Sequence, residues 1–173
     1  SSATDRTIMD KIAKDLADHG HAVWNVEYRR LGEVGGGWPG TFADVARAID
    51  DVASRPDEVP VDLDRLVLVG HSSGGQLALW AGGRRGLPGG TVGASPQVSP
   101  RAVVALAPVT DLVGCAELGA LEGTCAEVVG GPPDQVPGRY ARSSPLELTP
   151  LGVRQRLFHG TTDTVVPIDQ SRA

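Results

Sequence analysis

Two short, unbroken apolar runs, set between segments of helical period, constrain this chain more than any other feature. Arg65 to Gly70 reads RLVLVG, and Arg101 to Ala107 reads RAVVALA with Pro108 as its stop. Runs of this length without polar alternation suit strands covered on both faces, the situation inside a parallel sheet. Parallel neighbours need crossovers rather than tight turns, and a helix is the usual crossover. Helical segments do flank the runs. Within Asp5 to Asp18, Ile8, Ile12, Leu16 and Met9, Ala13, Ala17 recur at four-residue spacing, and His19-Gly20 supplies a left-handed stop. Thr41 stands where its hydroxyl would accept from the Asp44 amide and cap a helix carrying Phe42, Val45, Ala46, Ile49 and Val52 on one face. Gln76 to Ala81 and Arg139 to Ser143 also read as helical, with a loop from Val128 to Pro137 between elements. Ala22 to Tyr28 (AVWNVEY) and Arg156 to His159 (RLFH, stopped by Gly160) add two strands. Trp24 and Trp80 fall on core positions of these elements. The expected fold is one α/β domain over residues 1–173: a mostly parallel sheet of about four strands with helices on both faces.

Composition removes several classes. Sixteen basic against twenty-one acidic residues, a formal charge of -5, argue against a general nucleic-acid binder. No apolar run approaches the roughly 18 residues of a membrane span, and no basic-then-apolar leader opens the chain, so a cytoplasmic protein is expected. Cys115 and Cys125 are too few for a disulfide scaffold and are read as two free thiols, with one bridge as the alternative. There is no H-E-x-x-H, no paired C-x-x-C and no G-x-G-x-x-G after a strand, so neither a metal nor a cofactor is expected. The 23 glycines cluster between elements. Gly82 to Pro100 reads as a long surface connection, with Arg84-Arg85 as a solvated helix end.

Ligands of such sheets gather at the carboxyl ends of the strands. After the RLVLVG run comes Gly70-His71-Ser72-Ser73-Gly74-Gly75, a G-x-S-x-G pattern between a strand and a helix. A serine forced into a strained strand-to-helix turn needs small neighbours, which Gly70 and Gly74 provide. Its hydroxyl then stands above the sheet edge over a helix N-terminus, whose positive end favours a developing oxyanion, with the Ser73 N–H as one donor. A serine hydroxyl needs a base, and the base an orienting acid. Asp163, in His159-Gly160-Thr161-Thr162-Asp163, follows the RLFH strand and so leaves the same sheet edge. The residues alone leave it open between that acid and a cap for a helix beginning near Pro167.

These segments, with Tyr28-Arg29-Arg30 and Gly40-Thr41-Phe42-Ala43-Asp44-Val45, resemble the α/β-hydrolase fold family. The likeness is to its esterase/lipase group, near the carboxylesterase and arylformamidase-like branches. The resemblance spans nearly the whole chain. It implies Ser72 as nucleophile, Asp163 as triad acid, and a small-molecule ester or amide substrate cleaved through an acyl-enzyme.

The resemblance also implies a base histidine after the acid, yet only ten residues follow Asp163 and none is His. Of the four histidines, His19 and His21 flank a helix stop and are expected in solvent. His71 belongs to the elbow and is expected to point away from the nucleophile, and His159 is expected to be packed. The glycine loop that supplies a second oxyanion donor should precede the first helix, where this chain begins. The expectation is a piece of a longer serine hydrolase, cut at both ends and inactive by itself. The alternatives are a catalytically silent binding domain and a peptidase domain of the prolyl oligopeptidase type. Trp38-Pro39 is open between a pocket wall and simple packing; Asp111 is read as a local turn cap.

Overall fold

In a computed structural model, residues 5–54, 61–117 and 120–172 are described. The ends on which the expectation of truncation rests, Ser1 and Ala173, lie outside them. Three parallel strands form one sheet in the order β1 (Val67–His71), β2 (Ala102–Leu106), β3 (Arg154–Phe158). The register aligns His71 with Leu106 and Leu106 with Phe158, so all three strands end at one level. The helices are α1 (Asp10–Asp18), α2 (Gly40–Ala53), α3 (Ser73–Gly82), α4 (Leu112–Glu117), α5 (Thr124–Val129) and α6 (Pro137–Ser143).

The core lies between the sheet and α3. Leu79 and Ala78 of α3 pack on Val103 and Ala105 of β2. On its other side α3 sends Trp80 and Leu77 against Phe42, Val45, Ala46 and Ile49 of α2. Trp80 is wholly buried, meets Phe42 edge-on at 5.0 Å, and donates its indole N–H to the Arg142 carbonyl at 2.9 Å. Register partners and alternate residues share a sheet face. Val67, Val69 and Phe158 therefore share the face turned away from α3, and they are 45%, 37% and 60% exposed. The RLVLVG run is thus buried on one face only among the described residues.

Several expectations need correction. Ala22 to Tyr28 is not a strand: it makes no ladder with any described strand, and Trp24 is 54% exposed rather than core. A strand is completed by its neighbour, and β-forming residues alone do not supply one. α1, preceded by a 3-10 turn at Arg6–Met9, has the expected stop at Gly20 (φ +85°) but buries none of its residues. Thr41 does not cap α2 through Asp44. Its hydroxyl donates to the Arg29 carbonyl (2.5 Å) and accepts from the Gly37 amide (2.9 Å), while Asp44 pairs with Arg29. Arg84 is buried rather than solvated: its guanidinium binds Asp50 at 2.6 Å and the Gly93 carbonyl at 2.6 Å, tying the 82–100 connection to α2. Finally, Cys115 and Cys125 are not free thiols but a disulfide joining α4 to α5, with Cα atoms 6.1 Å apart. The expectation of free thiols rested on a reducing compartment; the buried positions of α4 and α5 pack together and bring the two sulfurs into one bond. No helix among the described residues is long and apolar enough to cross a membrane.

Candidate active site

Where β1 ends, the backbone turns abruptly. Ser72 adopts φ 54°, ψ −121°, a left-handed conformation that costs a non-glycine residue on the order of 1–3 kcal/mol. Bonds on both sides hold it there. The Ser72 amide donates to Leu106 O at 2.8 Å, and the Ser72 carbonyl accepts from Gln76 N at 3.0 Å, the first helical bond of α3. α3 therefore begins at Ser73, three residues earlier than the apolar period indicates, and its N-terminus lies directly beneath Ser72.

The small neighbours are needed, though not both of those expected. A Cβ on Gly70 would stand 2.1 Å from Gly74 O, and one on Gly75 would meet Pro108 Cβ at 3.0 Å. Gly74, by contrast, has room: its nearest neighbour is the Tyr28 hydroxyl, at 3.8 Å from such a Cβ. Burial holds the Tyr28 hydroxyl pKa above the ordinary value.

Asp163 leaves the sheet after β3, at the same edge as Ser72 after β1, with β2 between them. Its Oδ1 accepts from the Val165 and Val166 amides at 2.9 and 3.0 Å. Those two bonds lower its pKa, so the carboxyl is ionised at neutral pH. The Asx-type turn that a capping residue would make is present, but Oδ1 alone satisfies it. Oδ2 lies 3.5 Å from His159 Nε2.

His159 is packed, as expected. Its side chain is 3% exposed, with Nδ1 2.7 Å from Ser171 Oγ and Nε2 2.8 Å from Val166 O. A neutral ring protonated on Nε2 satisfies both contacts, donating to the carbonyl and accepting from the hydroxyl. That leaves no nitrogen to take a proton from serine. His19 is exposed and bound to Asp15 O through Nδ1, and His21 is exposed. His71 is also exposed.

Two further expectations resolve plainly. Asp111 Oδ1 accepts from Gly114 N at 2.9 Å, the local cap read from the sequence. Trp38 packs edge-on against Phe42 at 5.1 Å. It also borders a cleft of about 810 Å³ with Pro39, Ala43, Arg142 and the 88–95 connection, but neither Ser72, Ser73 nor Asp163 lines it. The Arg142 carbonyl at its border is held by Trp80, eight residues beyond Ser72, roughly 12 Å down α3.

A parallel sheet with a strained serine between the end of β1 and the start of a helix is the arrangement of an α/β-hydrolase fold. The chain belongs to the BD-FAE family, whose model matches residues 1–173. No curated protein matches the sequence. Among solved structures, an esterase B from Lactobacillus rhamnosis, inhibited with a tributyrin phosphonate, superposes with TM-score 0.78 at 20% identity. That match covers 98% of this chain and 54% of the other. A bifunctional GH43-CE protein of Bacteroides eggerthii gives TM-score 0.76 at 26% identity, covering 95% of this chain and 23% of its own. The carboxylesterase Cest-2923 of Lactobacillus plantarum gives 0.72 at 19% identity, covering 94% and 57%. The chain thus spans less than two thirds of each of these proteins.

Proposed function

We propose that the protein carrying this chain is a serine hydrolase of carboxylic esters or small amides. Ser72 is the nucleophile, Asp163 the orienting acid and the Ser73 N–H one oxyanion donor. The observation that carries this reading is the conformation of Ser72: a φ of 54° on a serine, held from both sides at the sheet's carboxyl edge. Backbone strain of that kind persists where the surroundings over-determine it, and at such an edge it aims a hydroxyl at a ligand.

The chemistry follows. Ser72 Oγ attacks the acyl carbon while an imidazole takes its proton. The carbonyl oxygen becomes an oxyanion facing the Ser73 amide and the N-terminus of α3. Collapse breaks the bond to the leaving alcohol or amine, which takes the proton from the imidazolium, and Ser72 is left acylated. Water then repeats the sequence and releases the acid. Asp163 steadies the imidazolium through the oxygen not committed to Val165 and Val166. His159 is held by packing, so this reading needs an imidazole between Ser72 and Asp163 that His159 does not supply. The phosphonate-inhibited tributyrin complex of the Lactobacillus rhamnosis esterase supports short-chain carboxylic esters as the first substrates to try.

A fluorophosphonate probe should label the full-length protein and fail on Ser72→Ala; equal labelling of both would remove Ser72 from the role. The 173-residue chain alone should not turn over a p-nitrophenyl ester. Removing a triad member leaves roughly 10³–10⁴-fold over water, and loss of one oxyanion donor takes about 10²–10³ more. Ser72-dependent turnover by the short chain, at the rate of the long one, would return His71 and His159 to consideration as bases. A second reading, a catalytically silent binding domain, is favoured by the same histidine geometry if the native protein also lacks an imidazole at the site. An absence of labelling in the full-length protein would select it.

A further inference from the structure

The scheme above leaves one buried ring without a task. His159 follows β3 directly, its side chain is 3% exposed, and both ring nitrogens are bonded within the segment that carries Asp163. Val166 O can only accept, so Nε2 carries the proton and donates it there at 2.8 Å. Nδ1 then accepts from the Ser171 hydroxyl at 2.7 Å. Val166 is also a residue that holds the acid, its amide donating to Asp163 Oδ1 at 3.0 Å. One residue thus meets the carboxylate with its N–H and the imidazole with its C=O.

The segment after Asp163 has no ladder to fix it; its one regular element among the described residues is a 3-10 turn at Ile168–Ser171. The amides of Val165 and Val166 fix the carboxylate relative to its own turn, but not the turn relative to the sheet. Three attachments do that. The Val166 side chain is buried with Val109, Leu112 and Tyr140, an apolar contact that resists removal and sets no direction. Gln170 Oε1 accepts from the Thr110 and Asp111 amides, both at 2.8 Å, and ties the far end of the segment to the connection after β2. The His159 ring supplies the directional bond nearest the acid, and it is rooted at the end of β3. We infer that His159 is a positioning residue for ester hydrolysis: through the Val166 carbonyl it holds the Asp163 turn in one orientation against the sheet. Oδ2 is thereby left for the imidazole that serves Ser72. This rests on the serine-hydrolase reading of Ser72 and Asp163. Oδ2 stands 3.5 Å from Nε2, close to the ring but not bonded to it. A triad acid works by holding its imidazole in one orientation, so an acid that turns loses rate without losing substrate.

The test uses the full-length protein with p-nitrophenyl acetate as substrate. His159→Gln places an amide donor near the position of Nε2, while His159→Asn reaches only as far as Nδ1 and abandons Val166. His159→Asn should lower kcat about tenfold, less than the roughly 10²-fold that a 1 Å misplacement costs, with KM within about twofold. His159→Gln should keep kcat within about threefold of wild type. Because the ring acts through the carboxylate, adding His159→Asn to Asp163→Asn should cost less than about twofold more. A tenfold loss that recurs in the Asp163→Asn background would overturn the proposal, as would a His159→Asn protein that melts earlier but keeps wild-type kcat. If His159→Asn does not fold, His159→Gln decides alone: kcat within threefold of wild type upholds the proposal and a tenfold fall ends it. Full turnover by Ser72→Ala or by Asp163→Asn would instead bring down the serine-hydrolase reading, and the positioning role with it.

Discussion

The stretch from Ala22 to Tyr28 and the stretch from Leu66 to His71 carry similar β-forming sequences and end up differently. Leu66 to His71 contains β1, bonded to β2 and packed under α3, and it delivers Ser72 in one fixed conformation. Ala22 to Tyr28 makes no ladder with the described strands, Val23 and Trp24 are exposed, and polar bonds fasten it, from Asn25 to Arg6 O and Asp10 and from the Arg29 amide just beyond it to Asp44. The comparison separates two ways of positioning a segment. At the elbow the backbone does it, through strand register, the first helical bond and the absence of a Cβ at Gly70. From Ala22 to Tyr28 a set of polar side chains does it, and each can be removed singly.

The largest expected effect tests the packed half against the open one. Trp80→Ala, which empties a wholly buried site between α2 and α3, should cost about 3–5 kcal/mol in denaturant unfolding. Val23→Ala should cost under about 1 kcal/mol. Equal costs would mean that the 22–28 segment is packed as tightly as α3. Next comes the disulfide. Closing a ten-residue separation, it should contribute about 2–3 kcal/mol, so reduction or Cys115→Ser should lower Tm without touching the elbow. Unaltered Tm under reductant would argue that helix packing alone holds α4 to α5.

The elbow can be tested more finely with its own glycines. Gly70→Ala forces a carbon onto Gly74 O, so it should abolish fluorophosphonate labelling of the full-length protein. Gly74→Ala meets only ordinary contact with Tyr28 and should retain labelling, slowed several-fold at most. Reversal of that order would show the turn to be built differently. The smallest effect concerns pH. Asp163 has a folded pKa below its usual 3.8, so its stabilising bonds are complete above that value and are lost as pH falls through the lower folded one. Exchange of the Val165 and Val166 amides should therefore be flat in its protection from pH 5 to 8 and rise only below about pH 4. Protection lost near pH 6 would place control with an imidazole instead.

How much of this was legible in advance varies by region, for physical reasons. The elbow was readable because its chemistry is local: an apolar run, glycines and serine in consecutive positions leave few conformations. The start of α3 was misplaced by three residues because Ser73, Gly74 and Gly75 carry no helical period; only the Ser72–Gln76 bond places them in the helix. Asp163 was locatable from its place after an apolar run, whereas the bonds that keep its second oxygen free depend on how residues 163–166 turn. α4 and α5 went unseen, since six-residue helices barely register as periodic and gain their stability from a cross-link and from each other.

What the sequence by itself determined is the alternation of elements, the sheet edge at which the chemistry-bearing residues emerge, and the serine at the turn. These follow from periodicity and backbone sterics, which act over a few neighbouring residues. What only the tertiary structure decided is which β-forming segments become strands, which arginine is buried, whether two thiols meet, and which histidine is already spent. Each of those depends on a partner distant in the chain, and no local pattern records whether that partner arrives.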